Sequence, residues 1–117
     1  MKVVINRCYG GFGLSDAAVE RWAELKGIKL VRQKTKQSFG GASWWIDGIE
    51  DDEHYFSSYS ISDRSDPILI QVVEEMGESA DGWAAELSVV DIPDDVEWTI
   101  EEYDGNEWVA EVHRTWR

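Results

Sequence analysis

Two stretches of this sequence carry the start and stop signals of α-helices, and they limit the folds open to the rest. In the first, Ser15 is placed to cap a helix whose opening turn holds Asp16, and Gly27 supplies a left-handed stop after Lys26. Its apolar stripe is Leu14, Ala18, Trp22 and Leu25, the spacing of one helical face. In the second, Asp66 precedes Pro67 at the first helical position, Gly77 follows the end, and Ile68, Leu69, Val72, Val73 and Met76 form the buried side. Everything else apolar comes in short runs of strand type. These are Lys2–Asn6, Ile28–Arg32, Trp44–Ile46, His54–Ile61 and Glu86–Ile92, then Val96–Glu102 and Asn106–His113 around the turn pair Asp104-Gly105.

Two helices among this many strands cannot supply the repeated strand–helix alternation of a dinucleotide-binding sheet. The sequence predicts an α+β fold, a mixed but largely antiparallel sheet with two helices on one face and a C-terminal β-hairpin. At 117 residues it fits a single domain spanning 1–117. Register in the hairpin follows from which residues share a face. A three-residue loop pairs Trp98 with Ala110 and Ile100 with Trp108, giving one continuous apolar side, and is the register expected. Its other side would set Glu97 against Glu111 and Glu101 against Glu107.

Charge narrows the functions. Net charge is −13, and its distribution is uneven: residues 1–46 hold eight Lys/Arg and three Asp/Glu, whereas residues 47–117 hold three and 21. Direct nucleic-acid binding is disfavoured, because the phosphate-driven attraction would be opposed overall. No apolar run approaches the roughly 18 residues of a membrane span, and the N-terminal residues lack the apolar core of a secretion signal. With a single cysteine, Cys8, no intramolecular disulfide can form. The expectation is a cytoplasmic protein with no membrane partner. Self-association through a tryptophan-rich sheet face stays open.

The segment Arg7-Cys8-Tyr9-Gly10-Gly11-Phe12-Gly13-Leu14-Ser15 joins a strand to a helix. Glycines there let backbone N–H groups approach an anion, the helix start adds positive potential, and Arg7 is available as a clamp. Tyr9 or Phe12 would stack on a ring. The plainer reading is a tight connection that needs glycine conformations. The glycine spacing matches neither a phosphate-binding P-loop nor a dinucleotide fingerprint. Cys8 has no histidine near it in sequence to act as its base, and Glu50–His54 lacks the alternate ligand spacing of a calcium loop. No cofactor or metal is expected, and no catalytic residue is assigned.

Val4–Ser15, Asp66-Pro67, Ile92–Trp98, Glu102–Gly105 and His113–Trp116 together resemble a family of small acidic proteins of bacteriophages and prophages. That resemblance implies an accessory role, of the kind that counters host defences or redirects host enzymes, in the cytoplasm of the host cell. It implies no site residues. The leading expectation from the residues is a non-catalytic protein that sequesters a small anionic, nucleotide-like ligand. Arg7, Tyr9, Gly10, Gly11, Phe12 and Gly13 would hold it, with Arg64, His113 and Arg114 completing the pocket. The alternative is an acidic inhibitor, a nucleic-acid mimic, occupying a basic groove of a host protein through Asp94, Asp95, Glu97, Glu101, Glu107 and Glu111. An unrecognised enzyme is the third reading.

Overall fold

The structure, a computed structural model, describes residues 1–33 and 43–112. Strand β1 (Lys2–Asn6) leads through the glycine-rich loop to helix α1 (Asp16–Lys26). The short strands β2 (Leu30–Arg32), β3 (Trp44–Ile46) and β4 (Tyr55–Phe56) follow, then helix α2 (Pro67–Met76), strand β5 (Leu87–Asp91) and the hairpin strands β6 (Trp98–Tyr103) and β7 (Asn106–Glu111). The fold is α+β and, among the described residues, every strand pairing is antiparallel. The strands are divided among three small sheets, β1-β5, β2-β3-β4 and β6-β7. No helix among the described residues is long and apolar enough to cross a membrane.

Both helices form where the sequence places them, because local chemistry fixes their ends. Ser15 accepts from the Ala18 N–H at 3.2 Å, and Gly27 closes α1 with φ 73°. Asp66 caps α2 through the Ile68 N–H at 3.1 Å, and its other oxygen ties α2 to α1, accepting from Trp22 Nε1 at 3.2 Å and pairing with Lys26 at 3.0 Å. Burial alone would raise the Asp66 pKa, but the hydrogen bonds from Lys26, Ile68 and Trp22 outweigh it and hold the carboxyl below its ordinary value.

The main core lies where α1 and α2 meet Val4 of β1 and Trp44 and Phe56 of the three-stranded sheet. Leu69, Val72 and Ala18 have no exposed surface, and Trp22 stacks on Phe56 at 5.3 Å. Side chains alternate across β1. Val4 therefore enters this core, while Val3 and Ile5, 0% and 3% exposed, are buried on the opposite face. Along that face Ile5 and Val90 share a groove with Asn106–Val109 of the hairpin.

Two local expectations change. His54–Ile61 is not one strand: β4 has only Tyr55 and Phe56, and Ser58–Ser60 form a 3₁₀ turn. The cause is serine chemistry, because Ser57 and Ser60 cap each other and offer the backbone a local alternative to a ladder.

The hairpin register is also corrected. Trp98 faces Glu111, Ile100 faces Val109, and Glu102 faces Glu107, around a two-residue turn. Asp104 (φ 53°) and Gly105 (φ 88°) both take the positive angles of the tight hairpin turn whose twist matches its strands. This register gives up the continuous apolar side but brings Glu107 beside β1. The pairs Glu97–Glu111 and Glu101–Glu107 do not form. Glu102 and Glu107 do face each other, yet Glu102 accepts from the Gly105 N–H and Glu107 is held by Arg64. The Gln33–Ala42 loop expectation falls almost wholly outside the described residues.

Candidate functional site

The glycine-rich loop docks on the rest of the chain, and its backbone groups are largely committed there. The Gly10 N–H donates to the Asp104 carbonyl at 3.1 Å, the Gly11 N–H to the Ala84 carbonyl at 3.3 Å, and the Gly13 carbonyl accepts from the Gly82 N–H at 2.9 Å. Gly10 sits at φ 139°, and a Cβ there would lie 2.4 Å from the Ala84 carbonyl oxygen. Gly105 is constrained in turn by Gly10, since its Cβ would fall 2.6 Å from the Gly10 carbonyl carbon. These two glycines are required because three backbone segments pass at contact distance. The N–H groups of Gly10 and Gly11 are spent on carbonyls of the chain itself.

Asn6 joins those segments, and sequence reasoning missed it. It has no exposed surface. Its Nδ2 donates to the carbonyls of Cys8 (2.9 Å) and Gly105 (2.8 Å), and its Oδ1 accepts from the Glu86 N–H at 2.8 Å. Its own N–H donates to Glu107 Oε1 at 2.8 Å. The available signal was a polar residue closing the apolar run Val3-Val4-Ile5, which marks either a strand end or a buried hydrogen-bond hub.

Arg64 completes the same junction. Its two terminal nitrogens reach the two Glu107 oxygens at 2.7 and 3.0 Å, and the guanidinium lies 3.6 Å from the Phe12 ring centre. The side chains are 17% and 10% exposed, so this is a shielded, bidentate pair. Arg64 and Glu107 therefore hold the hairpin to the body.

The expected ligand residues are dispersed by this arrangement. Gly10, Gly11, Phe12 and Arg64 line a groove of about 660 Å³, but Glu102, Asp104 and Glu107 line it too. Phe12 is 7% exposed and belongs to the core, so it has no free face on which a ring could stack. Gly13 packs toward Ser58 and the Gly82 segment. Arg7 points elsewhere, into the groove between β1 and the hairpin that Ile5, Val90 and Trp108 also line. Tyr9 is 66% exposed, edge-on to Tyr103 at 6.5 Å. His113 and Arg114 lie outside the described residues. Among the described residues no buried side-chain nitrogen or oxygen lacks a partner, and no group of three or more His, Cys, Asp or Glu is placed to hold a metal ion.

The acidic set is placed differently. Asp95, Glu97 and Glu111 are exposed, and no ion pair joins them to the described residues. Asp94 holds the Met1 amino group at 2.5 Å, and Glu101 accepts from Trp108 Nε1 at 3.1 Å while staying exposed. Glu107 is the exception, its side chain 10% exposed and paired with Arg64.

Four of the six described Lys and Arg of the N-terminal half are in ion pairs. Lys2 pairs with Glu74, Arg21 with Glu24 and Glu75, Lys26 with Asp66, and Arg32 with Asp16. These four cations are folded against acids, Lys2 and Arg21 onto α2 and Lys26 onto its cap. No protein-family model matches the chain, nor does any curated protein or solved structure.

Proposed function

We propose that this protein is a non-catalytic binding protein that engages a basic surface of a partner protein. On the phage and prophage resemblance of its sequence, that partner belongs to the host. The observation that supports this reading most is the disposition of charge. Of the seven described Lys and Arg, Lys2, Arg21, Lys26, Arg32 and Arg64 are in ion pairs and Arg7 and Lys29 are exposed outside them, whereas Asp95, Glu97, Glu111, Glu78 and Glu86 are exposed and form none with the described residues. Such an arrangement leaves an anionic field directed outward, able to steer a cationic partner into encounter.

The small-anion reading has less support. The groove beside the glycine loop carries three carboxylates, and its guanidinium is already committed to Glu107. The basic-partner reading is tested by affinity capture from host lysate over a salt series, with Glu97→Gln/Glu111→Gln run in parallel. A specific partner with a basic surface should dissociate as salt rises and be depleted by the variant. A partner retained equally by both proteins at every salt concentration contradicts it.

A further inference from the structure

A strongly exposed aromatic surface among the described residues lies beside this acidic field. Tyr9, Trp83 and Tyr103 are 66%, 71% and 70% exposed. Tyr9 and Trp83 line one groove of about 760 Å³, which runs from the Gly77 end of α2 along the segment leading into β5. Tyr103 stands edge-on to Tyr9 at the hairpin turn. Large aromatic rings this exposed in one place mark a contact surface rather than a core.

The carboxylates in the groove define what fits it. Glu78, Asp81 and Glu86 line it, and among the described residues no Lys or Arg does. Asp81 spends one oxygen on the Leu87 N–H at 2.9 Å. Glu78 and Glu86 are exposed, and neither forms an ion pair with the described residues. An apolar partner would cover these carboxylates without replacing their water, which is costly. An acidic one would add repulsion. A cation satisfies both features, since it pairs with carboxylate and is attracted to the faces of tryptophan and tyrosine. Between the two cationic side chains, guanidinium is the better match, because it is planar, more weakly hydrated and stacks on aromatic rings while donating to carboxylates at its edge.

We infer that this groove receives an arginine side chain of the basic partner, stacked against Trp83 or Tyr9 and hydrogen-bonded to Glu78 or Glu86. This inference rests on the basic-partner reading and names the group recognised and where it docks.

The test titrates the intact protein with a hexa-arginine peptide and, separately, a hexa-lysine peptide, following tryptophan fluorescence and confirming affinities by calorimetry. Hexa-arginine should bind more tightly than hexa-lysine. Trp83→Ala/Tyr9→Ala should weaken hexa-arginine by about fivefold or more, and Glu78→Gln/Glu86→Gln, which leaves the rings in place, should weaken both peptides. Hexa-arginine binding that stays salt-sensitive but is unchanged in both variants overturns the groove assignment and leaves the basic-partner reading standing. Failure of the wild-type protein to bind either peptide overturns both.

Discussion

The helical body and the C-terminal hairpin are built on different principles. In the body, apolar stripes meet: Leu69, Val72 and Ala18 are fully buried, and Asp66 links α1 to α2 with both of its oxygens. In the hairpin no residue reaches full burial, and attachment to the body is largely polar, through Glu107 to Arg64 and the Asn6 N–H and through Gly105 to Asn6. A body held by dispersed apolar contacts degrades gradually when changed. A hairpin held at a few charged points is lost or kept as a unit, and it leaves most of its surface free.

The largest break in that contrast should come from the body. Leu69→Ala removes a fully buried side chain and should cost about 4 kcal/mol. Thermal melting should show the loss, and amide exchange should rise in body and hairpin together. Next, Glu107→Ala strands the shielded Arg64 guanidinium and should cost about 3 kcal/mol. Here exchange should rise first at the hairpin amides of Thr99 and Ala110 while α2 stays protected, and uniform exchange would erase the distinction between the two regions.

Asp66→Asn should cost about 1–2 kcal/mol, since it weakens the cap of α2 and the tie to Lys26. The wild-type Asp66 carboxyl titrates lower folded than unfolded. Its contribution is therefore present above the unfolded carboxyl pKa and lost as pH falls through the folded value. The acid limb of a stability–pH curve should flatten in Asp66→Asn. The smallest effect is expected at the surface: Glu97→Gln/Glu111→Gln should change stability by no more than about 0.5 kcal/mol, measured by denaturant titration.

What the sequence made legible follows the range of the interactions concerned. Ser15, Gly27, Asp66 and Pro67 act within a few residues, so the bounds of α1 and α2 could be read directly. The α+β class and the hairpin followed from pattern. The register did not, because Asp104-Gly105 fits both loop lengths, and the two-residue turn that forms gives up the continuous apolar side while Glu107 gains Arg64, 43 residues away in the chain. Gly10 read as freedom for a ligand to approach and Gly105 as a turn residue, but what approaches Gly10 is the Ala84 carbonyl, and what approaches Gly105 is the Gly10 backbone. Arg7 and Arg64 both looked available in the sequence. Strand direction turned Arg7 into another groove, and Glu107 claimed Arg64. Charge segregation in the sequence was real, yet folding paired Lys2, Arg21 and Lys26 with acids of α2 or its cap, leaving the anionic excess outside.

The most direct test of this account is quantitative binding of the captured basic partner to wild-type protein and to Glu97→Gln/Glu111→Gln, measured side by side at low salt with the melting temperature of each sample. The variant should melt at or above the wild-type temperature and bind more weakly. Equal binding, with or without a change in melting temperature, would contradict the claim that these exposed carboxylates serve a partner.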